Sequence, residues 1–105
     1  MIAAVEAEAV AETYVAAGLR DLGFTIIRAG ARAPVGEFIE AWKARRRVVV
    51  RVNSTVLPED PRALTPDAEQ ELRSRAKRTG GQPWEARVLL SADLELVRLN
   101  WRPLE

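Results

Sequence analysis

"RRRVVVRVNST", residues 45–55, is the stretch on which the fold turns. Three arginines give way to Val48, Val49 and Val50, then to Arg51, Val52 and Asn53. β-Branched residues at this density suit a pleated, buried strand. Immediately upstream, "EFIEAW" (37–42) reads as a second strand and "KARR" (43–46) as the turn between them. The strand over 46–53 should therefore pair antiparallel with the one before it. Further upstream, "FTIIR" (24–28) is a short strand and "AGARAPVG" (29–36) a loop of small and turn-forming residues. Residues 4–22 are rich in Ala, Glu and Leu, with Ala11, Val15, Leu19 and Leu22 on one helical stripe and Gly23 as the stop. Downstream, "STVLPEDPRAL" (54–64) is a loop, and Thr65-Pro66 is a helix start, with Thr65 as N-cap. That helix runs to Thr79 and stops at Gly80-Gly81. "PWEARVLL" and "LELVRLNW" make two more strands around the turn "SAD". The predicted order is α-β-β-β-α-β-β: an α/β fold with a central mixed sheet flanked by helices.

The 105 residues suit a single domain spanning 1–105, and 48% hydrophobic against 30% charged residues supply both a core and a polar surface. A net charge of +1 exerts no general pull on nucleic acid, so any basic footprint must be local. Without cysteine there is no disulfide, thiolate zinc site or cysteine nucleophile. Without histidine there is no Ser-His-Asp arrangement. No apolar run is long enough to span a bilayer, and "MIAAVEAEAVAE" carries acids where a signal peptide carries bases, so no membrane association and an intracellular, cytoplasmic location are expected.

Arg51 and Asn53 lie two apart and so share one side of their strand. They read either as the solvent-facing edge of a half-buried strand or as a remodelled active-site face. A metal nuclease holds a hard cation between carboxylates and gains from a lysine that stabilises developing negative charge. Arginine would compete with the cation, and asparagine brings no charge. Glu12 is mid-helix, where most glutamates are simply solvated; Glu37 and Glu40 suit an edge strand. Arg45, Arg46 and Arg47 read as a solvated hairpin tip or a binding patch. Arg73, Lys77 and Arg78 form a solvated helix face or a phosphate-contacting one. Trp42, Trp84 and Trp101 are expected in the core, with one of them a candidate interface anchor.

Across residues 9–99 the chain resembles archaeal-type Holliday junction resolvases, of the restriction-endonuclease-like fold. "AVAETYVAAGLRDLGFTIIRAGAR" is similar to that family's first helix and strand, with its glutamate at Glu12 and a basic residue at Arg28. "APVGEFIEAW" is similar to the segment bearing the family's aspartate, with Glu37 as the match, and "RRVVVRVNST" to its Glu-x-Lys or Gln-x-Lys strand. "LTPDAEQELRSRAKRTGGQPWEARVLL" is similar to the helix and strand that follow. The resemblance implies an endonuclease of DNA recombination that cleaves branched DNA as a homodimer, with Glu12 and Glu37 on Mg2+ if active. Candidate nucleic-acid contacts are Arg28, which the resemblance singles out, with Arg32, Arg45, Arg46, Arg47, Arg73, Lys77 and Arg78. The departures are that Arg51 replaces the carboxylate, Asn53 replaces the lysine, Glu37 replaces an aspartate, and the spacing between strands is one residue longer.

The expectation is therefore a degenerate site of Glu12, Glu37, Arg51 and Asn53 in a protein that binds branched DNA or structured RNA, with metal-dependent cleavage impaired or lost and no cofactor. Arg51 is expected to pair with Glu12 or Glu37 in the metal's place. A second resemblance, carried by "LRDLGF", "GEF", "VLPED" and "LNWRP", is to the archaeal tRNA-splicing endonuclease, and implies a non-catalytic subunit of such an assembly. A third reading draws carboxylates from Glu12, Glu37 and Glu40, with Lys43 or Arg51 as the cation of a live nuclease. Leu96, Leu99 and Trp101 on the last strands, set against a second helix with Leu72 as its one large apolar residue, predict a homodimer or heteromer.

Overall fold

The computed structural model describes residues 4–28 and 38–104. Helix α1 (Ala4–Asp21) leads to strands β1 (Thr25–Arg28), β2 (Phe38–Lys43) and β3 (Arg46–Val56), helix α2 (Pro66–Thr79), and strands β4 (Gln82–Leu90) and β5 (Leu96–Pro103). The strands lie in sequence order in one sheet. Among the described residues only the β3–β4 pair is parallel, because α2 is the crossover that returns the chain to the starting end. The predicted mixed α/β sheet and the order of its elements are those observed.

Both helices end by the same device. Gly23 (φ 92°) and Gly80 (φ 75°) take the left-handed conformation. The amide of Phe24 then donates to the carbonyl of Leu19 at 2.9 Å, and that of Gly81 to Ala76 at 2.8 Å, closing Schellman caps. At the start of α2 the Thr65 hydroxyl accepts from the amide of Ala68 at 3.1 Å, with Pro66 following where no donor is needed.

The sheet alternates cleanly. Val48, Val50 and Val52 of β3 face α1 and join Ala11, Val15 and Leu19, with Ile39, Ala86, Val88 and Leu90 from neighbouring strands. Val49 faces the other way and meets Phe38, Leu72, Ala76 and Leu104, a smaller core beneath α2. Trp84 packs edge-on between Phe24 and Trp101, at ring separations of 5.6 and 5.9 Å. Gly18 lets α1 approach this cluster, since a Cβ there would lie 3.0 Å from Trp101.

Several sequence expectations need correction. Strand β3 continues through Val56 instead of stopping at Asn53, since Ser54, Thr55 and Val56 pair with Val88, Leu89 and Leu90 of the parallel neighbour. The hairpin turn narrows to Ala44 and Arg45, both at positive φ (48° and 69°). The last strand starts at Leu96, because the Ser91 hydroxyl accepts from the amides of Asp93 and Glu95 and holds a turn there. Trp42 is 47% exposed, whereas Trp84 and Trp101 are packed as expected. Leu99 and Trp101 lie against the α1 core, leaving Leu96 and Val97 as the exposed apolar pair on β5.

Candidate functional site

The face of β3 turned toward α2 carries Arg51 and Asn53. In register across the sheet, Phe38 stands opposite Arg51 on one side and Glu85 on the other. Alternation sets Glu85 and Arg87 of β4 and Asn100 and Arg102 of β5 on the same face. The guanidiniums of Arg51 and Arg75 sit over the Phe38 ring, at 5.2 and 4.1 Å from its centre.

Glu85 is the hub of this face. It has no exposed surface. One carboxylate oxygen accepts from Arg102 Nε at 2.6 Å; the other accepts from Arg87 Nε at 3.0 Å and from Asn53 Nδ2 at 2.8 Å. Arg102 also donates from Nη2 to Glu69 on α2 at 2.6 Å, and Glu69 in turn pairs with Arg73 at 3.6 Å. Burial alone pushes the Glu85 carboxyl up, but the bonds from Arg87, Asn53 and Arg102 outweigh it and hold the group below its ordinary range. The bonds to Glu85 and Glu69 hold Arg102 above its ordinary value. Asn53 has a second contact: Nδ2 also donates to the carbonyl of Arg62 at 2.8 Å, which ties the loop before α2 down to the sheet.

Glu12 belongs to α1, and α1 packs on the opposite face. The sheet therefore lies between Glu12 and the pair Arg51–Asn53, and an Arg51–Glu12 ion pair in the metal's place is corrected accordingly. What α1 meets on β3 is Val48, Val50 and Val52. Glu37 and Arg32 lie outside the described residues, as does the side chain of Arg28. Glu40 and Lys43 are three apart on β2 and so face opposite ways. Lys43 Nζ is committed to the carbonyl of Leu22 at 2.6 Å and lies near the Phe24 ring, so it does not act as the cation of that carboxylate.

The face of Arg51, Asn53 and Glu85 offers no free carboxylate to the divalent metal that the resemblance implies. Among the described residues no three carboxylates gather to hold an ion. A hard cation needs carboxylate oxygens free to bind it, and both oxygens of Glu85 are taken by cationic or amide donors. Glu85, Arg87 and Arg102 were not singled out from sequence. The available signal was a glutamate between Trp84 and Ala86 in a mostly apolar strand, a position that, once buried, requires several donors.

The basic residues divide between two places. Arg45, Arg46 and Arg47 are exposed at the hairpin tip. Arg47 Nη1 reaches the carbonyl of Thr79, at 3.5 Å, so the tip lies beside the last turn of α2 with its exposed Lys77 and Arg78. Arg73, by contrast, turns toward Glu69. At the other end of β3, Arg62, Arg87 and Arg98 surround a small pocket.

A five-stranded mixed sheet with one helix on each face, ordered in this way, is the restriction-endonuclease-like fold. Among solved structures the chain is similar to Hjc of Archaeoglobus fulgidus, a Holliday junction resolvase from an archaeal hyperthermophile. The TM-score is 0.59 at 22% identity, over 88% of this chain and 74% of that one. No protein-family profile matches the sequence, and no curated protein does.

Proposed function

We propose that this chain binds branched DNA through the hairpin tip and the adjoining end of α2, and does not cleave it with a metal. The observation that carries the binding is the meeting of Arg45, Arg46 and Arg47 with Lys77 and Arg78 at one end of the sheet, which concentrates positive charge in a chain whose net charge is +1. The likeness in fold to a junction resolvase supports a four-way junction as the substrate to try first. The loss of cleavage is supported by Arg51 and Asn53 on β3 and by the engaged oxygens of Glu85.

Fluorescence anisotropy with a four-way junction and a duplex of equal length tests the binding. Tighter binding to the junction is expected, with at least a tenfold loss on combining Arg45→Glu, Arg46→Glu and Lys77→Glu. Equal binding to both DNAs, or indifference to the charge reversals, overturns it. Incubation of the junction with Mg2+ or Mn2+ tests the second half: cleavage by wild type that disappears in Glu12→Ala would show a live site.

The exposed Leu96 and Val97 on the edge strand favour a second reading, a non-catalytic subunit of an RNA-processing nuclease. That role would give a stable heteromer and no preference for junction DNA.

A further inference from the structure

The loop residue Arg62, Arg87 of β4 and Arg98 of β5 converge on a pocket of about 80 Å3, whose remaining polar lining is Asn53, Thr55 and Asn100. We propose that this pocket binds a phosphate group. Its role rests on the nucleic-acid reading above if the phosphate belongs to a DNA backbone, but the site itself does not depend on that reading.

Charge balance points to an anion. Among the described residues neither Arg62 nor Arg98 has an ion-pair partner, and Arg87 spends only its Nε on Glu85. The single negative charge of Glu85 is shared with Arg102 and is lodged beneath the face, fully buried. Three guanidiniums around one small space repel one another unless something negative sits between them. Glu59 and Asp60 precede Arg62 in the same loop but do not line the pocket.

Geometry points to phosphate. Guanidinium forks match the spacing of phosphate oxygens, and three forks from a loop and two strands suit a tetrahedral oxyanion better than a planar carboxylate. Thr55 and Asn100 add neutral donors. A water needs roughly 10–15 Å3 on the same measure, so the pocket takes a phosphate group with its ester oxygens, while a nucleobase would have to remain outside. Asn53 is a positioning residue here: its amide fixes the carbonyl of Arg62 and the carboxylate that orients Arg87. The pocket is thus preformed by the same bonds that hold the Glu85 hub.

Titration of the full chain with inorganic phosphate, followed by calorimetry at constant ionic strength, tests the site. Saturable binding is expected, weakened at least tenfold by Arg98→Gln and by Arg62→Gln, and unchanged by Arg20→Gln on the exposed side of α1. Both changed arginines of the pocket rim are exposed, and circular dichroism checks that the variants fold. A parallel arm uses the four-way junction. If the phosphate is a backbone one, Arg98→Gln lowers the slope of log affinity against log salt by about 1; if it is a free phosphate or nucleotide, the slope does not change while phosphate binding is lost. Absence of phosphate binding to wild type, or binding untouched by both variants, overturns the pocket even where the junction binds through the hairpin tip. Phosphate binding that requires Arg62 and Arg98 in a chain with no affinity for the junction supports the pocket and sinks the DNA reading instead.

Discussion

Glu85 is where residue-level energetics and acid sensitivity meet. A carboxylate without solvent contact is tolerable only as an anion held by donors, and Arg87, Asn53 and Arg102 supply them. Its folded pKa lies below the ordinary value, so the unfolded chain takes up the proton first as pH falls. The stabilisation is present above about pH 4.3, the ordinary glutamate value, and is lost as pH drops through the folded pKa. Urea titrations across roughly pH 2–7 should show a steep acid limb in wild type and a flatter one in Glu85→Gln. At neutral pH that variant should be less stable by about 3 kcal/mol, the scale for breaking a buried pair. Arg51 and Asn53 were legible as neighbours on one face because strand alternation is local. Which face, and hence which carboxylates they could meet, was not legible, because that depends on which helix covers it. The double change Arg51→Glu with Asn53→Lys follows from this. Read from the sequence it should rebuild a magnesium site with Glu12; in the folded chain Glu12 is across the sheet and Glu85 is the neighbour. The expected outcome is no junction cleavage with Mg2+ and a loss of stability from setting a second carboxylate beside Glu85. Cleavage by the double variant would show that the two faces communicate after all.

At the scale of elements, strong local signals were readable: the Ala-rich α1, the valine run of β3, the Thr65-Pro66 start and the glycines at both helix ends. The errors fall where a neighbour in space decides. Strand β3 runs on to Val56 because β4 continues beside it, and sequence near β3 cannot report that. The turn between β2 and β3 is a further case. Ala44 and Arg45 both adopt positive φ, a conformation that favours Asn-Gly in two-residue hairpins and strains residues with a Cβ. Replacing Ala44 by Asn and Arg45 by Gly should raise stability by about 1 kcal/mol, read as an upward shift in urea midpoint with an unchanged slope. Gly18 is the reverse case. Helix propensity alone favours a larger residue by about 1 kcal/mol, yet Leu99 and Trp101 approach within 3.2 and 3.0 Å of a Cβ placed there. Gly18→Leu should therefore destabilise by about 1–3 kcal/mol, the cost of overpacking. A neutral result would mean that α1 slides on the sheet more freely than its contacts suggest.

For the whole molecule, the question is what the sheet's edges do. Strands β1 and β5 lie at the two ends of the sheet. β1 is only four residues long, which limits it as a template for pairing. β5 spans eight residues, carries Leu96 and Val97 at 39% and 51% exposure, and is blunted on its α2-facing side by Arg98 and Arg102. The apolar surface expected on the last strands is smaller than the sequence suggested, since Leu99 and Trp101 pack on the α1 core. What remains is one end of one edge, enough to start an interface and too small to be a large one. Any self-association through it should be moderate and sensitive to single charges. Sedimentation at tens of micromolar, about the range of a moderate complex, should show a dimer in exchange with monomer. Val97→Lys should shift the population to monomer without lowering the urea midpoint, because the residue is already exposed in the isolated chain. A dimer indifferent to Val97→Lys would move the interface away from β5, and the exposed Trp42 on β2 would be the next residue to change.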